Sequence, residues 1–94
     1  MIQYIVHNAD DSVGVIVVPE GIQVGDTLTG WNMSTGDTLS LVAGATVPVG
    51  HKVALRDHAV DEGIIKYGHD IGRVVAPIAA GDHVHVHNVK TRRW

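Results

Sequence analysis

Apolar residues come in short runs along the chain, separated by Gly, Pro, Asp and Asn, and no segment repeats them at the 3.6-residue spacing of an amphipathic helix. Valine and isoleucine far outnumber leucine, and β-branched side chains suit pleated strands better than helices. The pattern therefore predicts an all-β fold. The expected strands are residues 2–7, 12–18, 27–33, 37–43, 51–57, 63–68, 71–76 and 83–89.

The segments between these strands predict sharp turns. "STG" at 34–36 indicates a hairpin turn in which Gly36 takes a positive φ. The pattern apolar-x-x-Gly-Asp-x-apolar occurs at 22–28 and again at 78–84, with a looser copy at 59–65. A proline precedes a glycine by two to four residues at Pro19, Pro48 and Pro77. These corners predict a compact sheet folded back on itself, with at most one short helical turn, in "HAVDEG" at 58–63.

Size and composition narrow the functional classes. The 94 residues predict one domain, 1–94, with a thin core. A formal net charge of −3 argues against a broad nucleic-acid-binding surface. The sequence has no cysteine, which excludes disulfides and thiol catalysis. No apolar run approaches the ~18 residues of a membrane span, and the N-terminus lacks the basic flank of a signal peptide. We therefore expect a cytoplasmic protein without a membrane partner.

The segment "GDHVHVHN" at 81–88 alternates three histidines with valines. On one continuous strand, same-face side chains lie about 6.5–7 Å apart. His83, His85 and His87 would then share a face, while Val84 and Val86 would face the core. Because neutral imidazole binds Zn, Fe, Ni and Cu well, the pattern predicts a metal site formed by the three histidines. An exposed edge strand kept polar against aggregation is the alternative explanation.

Two further groups of polar residues are candidates for anion binding. His51 and Lys52 follow Pro48-Val-Gly50 at the mouth of a turn, where a solvated loop pair is the alternative. Lys66 adds a cation within "KYGHD" at 66–70. Neither a nucleophile elbow nor a phosphate-binding loop is present in the sequence.

Three motifs, in order and spacing, resemble a known family. They are Gly50-His51-Lys52-Val53-Ala54-Leu55, Ile65-Lys66-Tyr67-Gly68 followed by Ile71-Gly72, and Gly81-Asp82-His83-Val84-His85-Val86-His87-Asn88. The chain resembles the SAF domain that opens the altronate and galactarate dehydratases and that also exists as the separate small subunit of sulfolactate sulfo-lyases. Since the sequence stops at Trp94, where the fused dehydratases continue into a large catalytic region, we expect the small-subunit form.

The resemblance implies a β-clip fold and a part in a β-elimination. The expected function is the small (alpha) subunit of a heteromeric carbon–sulfur lyase, which eliminates sulfite from (2R)-3-sulfolactate to give pyruvate together with a large catalytic beta subunit. A higher hetero-oligomer and a divalent cation are implied, Fe²⁺ first, with Mn²⁺, Mg²⁺ and Zn²⁺ as alternatives. The residues expected to contact the small anionic hydroxy-acid substrate are His51, Lys52, Lys66 and Asn88, and the first three are possible contributors to catalysis.

Two other functions remain open at this point. The first is the small subunit of a sugar-acid dehydratase of the altronate or galactarate type, which would share the architecture and differ in substrate. The second is a non-catalytic module that binds carbohydrate or organises an assembly, because a fold of this kind does not by itself determine function.

Overall fold

The computed structural model describes residues 1–66 and 69–91, which form two β-sheets. In chain order the strands are β1 (Tyr4–Val6), β2 (Val13–Ile16), β3 (Thr27–Asn32), β4 (Thr38–Val42), β5 (Lys52–Ala54), β6 (Gly63–Lys66), β7 (His69–Val74), β8 (His83–Val84) and β9 (Val89–Lys90). The described part of the chain contains no helix, so the prediction of an all-β fold is confirmed. Within these residues, nothing has the length and apolarity of a membrane-crossing helix. Tyr67 and Gly68 of the second motif lie outside the described residues.

The larger sheet has six strands in the order β4-β3-β1-β2-β5-β8, and the smaller has three in the order β6-β7-β9. The pair β1–β3 is parallel, and the other pairs are antiparallel. Strands β3 and β4 form the hairpin expected around Gly36, whose φ is 78°. Among the described residues, β8 pairs only with β5, so the histidine-rich segment begins at an edge of the larger sheet.

The core consists of two apolar clusters, one on each face of the larger sheet. Residues alternate between faces along a strand, so Val53 joins the first cluster and its neighbour Ala54 joins the second. The first cluster contains Tyr4, whose ring lies against Gly30 of the neighbouring strand β3, where a Cβ atom would overlap the ring. The second cluster packs β2, β5 and β8 against the smaller sheet through Ile64, Val74 and Val84, among others.

Four turns of the same kind fold the sheets back on themselves, which agrees with the repeated corner in the sequence. Two isolated β-bridges, Ile22↔Val47 and His58↔Ile78, mark where these turns begin. The third residue after each bridging position has a positive φ: Gly25 (90°), Gly50 (82°), Asp61 (76°) and Gly81 (90°). Because three of the four are glycines, the left-handed conformation is reached there with little strain.

Three of these turns are closed by a carboxylate, and the fourth is not. The side chains of Asp26, Glu62 and Asp82 accept hydrogen bonds from the backbone N–H groups of Gln23 (2.9 Å), Ala59 (3.0 Å) and Ala79 (2.8 Å). The equivalent N–H is missing in the fourth turn because Pro48 occupies its position. His51 stands there in place of the carboxylate, and its side chain is therefore available for other contacts.

The segment 58–63, where the sequence allowed at most one short helical turn, forms none, because Asp61 takes the left-handed conformation and continues the chain into β6. One local prediction was wrong. The expected strand 83–89 is interrupted: β8 ends at Val84, a turn covers 85–88, and β9 begins at Val89. Val84 is buried as expected, whereas Val86 is 65% exposed.

Candidate functional site

His51 and His83 meet at the edge of the larger sheet. The turn at Pro48 delivers His51 immediately before β5, and the antiparallel pairing of β5 with β8 places His83 opposite Val53. The two imidazoles then form a direct hydrogen bond, with 2.9 Å between His51 Nδ1 and His83 Nε2. Such a bond needs one N–H donor and one lone pair, so at least one of the two rings is neutral.

His85 completes a cluster of three imidazoles. Its ring lies 4.7 Å from that of His51 and 5.3 Å from that of His83, nearly parallel to the latter at 12°. One ring nitrogen from each of the three residues lies within 4.8 Å of the others. Tetrahedral zinc with Zn–N bonds of about 2.0–2.1 Å holds its ligand atoms roughly 3.3 Å apart. To bind one divalent cation, the three nitrogens would have to move closer together and the stacked rings would have to rotate so that their in-plane lone pairs meet. As a donor set, three imidazoles fit such an ion.

His87 lies beside this cluster. Its ring is 5.6 Å from that of His83 and tilted by 51°. The structure thus brings all three histidines of the alternating segment together, but the converging nitrogens belong to His51, His83 and His85. On the sequence alone, His51 was assigned to the substrate and not to the metal site. The proline at the capped position of its turn, which distinguishes this turn from its three counterparts, is a signal that could have set His51 apart.

The environment of His83 favours the neutral imidazole. Burial lowers the pKa of His83 below its ordinary value of 6.5, and repulsion from His51, His85 and His87 lowers it further. A cation ligand must have a free lone pair on the ring nitrogen. The cluster therefore offers His83 in its ligating form at neutral pH.

Asn88 is buried and bonds to the backbone that carries two of the imidazoles. Its side-chain amide donates a hydrogen bond to the His83 carbonyl (2.8 Å) and accepts one from the His85 N–H (3.0 Å). The sequence assigned Asn88 to the substrate, but the structure engages both ends of its amide with the backbone of the turn.

Lys52 lies on the other face of the larger sheet, beside a cleft of about 200 Å³. Lys52 pairs with Val84, and the residues that line the cleft are Lys52, Ile71, Val84, His85, Val86, Val89 and Thr91. Within the described residues, no hydrogen bond or ion pair engages the Lys52 ammonium. His85 belongs to both features, since it stacks on the other imidazoles and also lines the cleft.

Lys66, at the end of β6, adds positive charge near Lys52. Burial lowers the pKa of Lys66, repulsion from Lys52 lowers it further, and Asp11 opposes both effects. The mutual repulsion of two ammonium groups is relieved when an anion lies between or beside them. Asp11 already supplies negative charge to Lys66, and Lys66 is not among the residues that line the cleft beside Lys52.

Comparison with known proteins agrees with the three motifs. Residues 2–92 match the model of the altronate/galactarate dehydratase SAF domain. The chain belongs to this family. A relative from Chromohalobacter salexigens, named (2R)-sulfolactate sulfo-lyase subunit alpha, is 57% identical over 93 residues, covering 99% of this chain and 98% of its own length. A protein of the same name from Paracoccus pantotrophus is 46% identical over 61 residues, 65% of this chain and 91% of that protein.

The SAF domain also occurs within longer relatives. An altronate dehydratase from Escherichia coli is 40% identical over 89 residues, which cover 95% of this chain but only 16% of the dehydratase. One from Bacillus subtilis is 33% identical over 86 residues, again 16% of its length. In these relatives the matched region is therefore a small part of a much larger chain.

Proposed function

We propose that the chain is the small subunit of a heteromeric lyase that eliminates sulfite from (2R)-3-sulfolactate, together with a large catalytic subunit. The observation that carries the proposal is the 57% identity, over 98% of its length, to a protein named (2R)-sulfolactate sulfo-lyase subunit alpha. The occurrence of the same domain in altronate dehydratases, where it makes up about one sixth of the chain, supports an association with a larger catalytic unit.

The reaction assigned to the complex is a β-elimination. The C2–H bond breaks and its electron pair forms the C2–C3 double bond, while the C3–S bond breaks and its electron pair leaves on sulfite. The resulting enol becomes pyruvate by moving a proton to C3. Loss of the C2 proton is difficult because it puts negative charge onto the neighbouring carboxylate, and this charge needs electrostatic stabilisation. We assign the general base to the large subunit.

We assign a divalent cation to the imidazoles of His51, His83 and His85. When bound, this cation would supply positive charge that stabilises the developing enolate. Three imidazoles suit Fe²⁺ or Zn²⁺ better than Mg²⁺, which prefers oxygen ligands. Fe²⁺ is the first candidate because the family resemblance implies it. His87 is the nearest further imidazole and lies outside the ligand set that we propose.

We assign binding of the substrate's anionic groups to Lys52 and Lys66. The cleft of about 200 Å³ beside Lys52 has room for a three-carbon acid. His85 lines this cleft and also belongs to the imidazole cluster. An anion bound by Lys52 in the cleft would therefore lie next to the proposed cation. Asn88 is not part of this substrate contact in our proposal, because its amide already bonds to the backbone.

Reconstitution tests the proposal. The chain is co-expressed with a candidate large subunit, a dehydratase-like chain sought in the same organism, and sulfite and pyruvate are measured after addition of (2R)-3-sulfolactate and Fe²⁺. We expect both products in equal amounts from the complex and none from either chain alone. Sulfite release by the isolated small chain would overturn the subunit assignment.

A sugar-acid dehydratase subunit is the second candidate, favoured by the 40% identity to the E. coli altronate dehydratase. Altronate and galactarate are therefore supplied to the same complex. Water elimination from either acid, with sulfolactate left unchanged, would replace our proposal by this one. Failure to form any complex would favour a non-catalytic module.

A further inference from the structure

The alternating histidines do not form the strand that their sequence favours. Valine is a strong strand former, and nothing within "HVHVH" ends a strand. In a continuous strand, successive histidines would stay about 6.5–7 Å apart along one face. The chain instead leaves the extended conformation after Val84, and Val86 turns out to solvent with 65% of its surface exposed. Burial of Val86 therefore does not hold the turn.

The groups that do hold the turn belong mainly to Asn88. Its amide bonds to the backbone on both sides of Val84, donating to His83 O at 2.8 Å and accepting from His85 N at 3.0 Å. The backbone closes the same turn, because the N–H groups of Asn88 (3.2 Å) and Val89 (3.0 Å) both donate to His85 O. Asn88 is only 5% exposed, so water competes little for these bonds.

The two residues whose backbone Asn88 binds are those whose rings stack. The rings of His83 and His85 lie 5.3 Å apart and within 12° of parallel, and this geometry also brings the ring of His85 to 4.7 Å from His51. Asn88 thus fixes the backbone from which two of the three converging imidazoles project.

We propose that Asn88 is a positioning residue, which converts a strand of alternating histidines into a cluster that binds a divalent cation. The proposal rests on the cation assignment in the proposed function. It differs from a substrate contact, since Asn88 acts through His83 and His85. It also differs from a purely structural role, because it predicts a loss of cation affinity that is larger than the loss of fold stability.

The substitution Asn88→Asp tests this with little change of shape. The carboxylate still accepts from His85 N, but it cannot donate to His83 O and repels that carbonyl. The added negative charge would by itself strengthen cation binding, so weaker binding reports on geometry alone. Asn8→Asp is the matched control. Asn8 lies in an exposed turn of the same chain, and its substitution by Asp adds the same negative charge.

Zn²⁺ affinity of the full chain is measured by calorimetric titration, with thermal unfolding of each apo variant alongside. We expect Asn88→Asp to bind Zn²⁺ at least ~10-fold more weakly than the wild type, the size found when partners that orient metal ligands are removed. The Asn8→Asp variant keeps wild-type affinity. The visible spectrum of bound Co²⁺, which reports coordination geometry, changes in Asn88→Asp and not in the control.

The outcomes separate this inference from the proposed function. Failure of the wild-type chain to bind Zn²⁺ or Co²⁺ would overturn the cation assignment and this inference with it. Tight binding by the wild type and equally tight binding by Asn88→Asp would overturn only the role of Asn88. If Asn88→Asp does not fold, Asn88→Ser replaces it, since one hydroxyl cannot make both bonds in full. If Asn88→Ser kept the Zn²⁺ affinity and the Co²⁺ spectrum of the wild type, the inference would be overturned as well.

Discussion

The membership of His51 in the imidazole cluster gives a direct test of the site. His51→Gln keeps a polar side chain of similar length and removes the ring nitrogen that bonds to His83 at 2.9 Å. His87→Gln makes the same chemical change at the imidazole that lies beside the cluster. The alternating sequence pattern alone would rank His87 above His51 as a ligand, whereas the converging nitrogens reverse that order.

The expected magnitude follows from the contribution of one ligand. Four-ligand structural zinc sites bind with about 10–16 kcal/mol, which corresponds to roughly 3 kcal/mol for each ligand. Loss of His51 should then weaken Zn²⁺ binding about 10²-fold. The stability of the apo chain should change by only about 1 kcal/mol, the typical value of one hydrogen bond, because the turn at Pro48 uses no side-chain cap.

A competition titration against a chromophoric zinc chelator near neutral pH measures both variants. We expect His51→Gln to lose about 10²-fold in Zn²⁺ affinity. The Zn²⁺ affinity of His87→Gln should change by no more than about threefold, because only the electrostatics around His83 are altered. Calorimetric unfolding of the metal-free proteins checks that both remain folded. If only His87→Gln lost Zn²⁺ affinity, the ligand set of His51, His83 and His85 would be refuted. The ligands would then be the three alternating histidines, His83, His85 and His87.

Three further predictions concern the core, a turn and the cleft. Gly30→Ala should destabilise the chain by about 1–3 kcal/mol in urea unfolding, because its Cβ would overlap the ring of Tyr4. Tyr4→Leu in the same chain should make that penalty smaller. The Ala59 N–H and His58 lower the pKa of Glu62 below its ordinary value of 4.5, so its stabilising effect is present above pH 4.5 and is lost as the pH falls below it. The urea midpoint of Glu62→Gln should therefore fall less than that of the wild type as the pH is lowered below 4.5. An equal dependence of the two midpoints on pH would contradict this. Lys52→Met should raise KM for sulfolactate in the reconstituted complex at unchanged metal content, whereas an unchanged KM would remove Lys52 from the substrate site.

The sequence predicted the strands and turns because both depend on the preferences of residues close together in the chain. Every expected strand segment overlaps a strand of the structure, because β-branched runs between Gly, Pro and Asp favour extended backbone over short distances. The Gly36 hairpin and the repeated turns were also predictable, since a positive φ is cheapest at glycine. The sequence likewise identified the histidines, as residue types able to bind a cation.

Only the tertiary structure decided how these residues combine. His51 bonds to His83 across 32 positions of the chain, a contact that depends on the pairing of β5 with β8. The Asn88 amide overrides the strand preference of the valines around His85, and this competition between a side-chain bond and strand propensity cannot be judged from the residues alone. Lys52 and His51 are adjacent in sequence but lie on opposite faces of the sheet, because side chains alternate along a strand. Sequence determined which groups are present, whereas long-range strand pairing and one buried amide determined which of them meet.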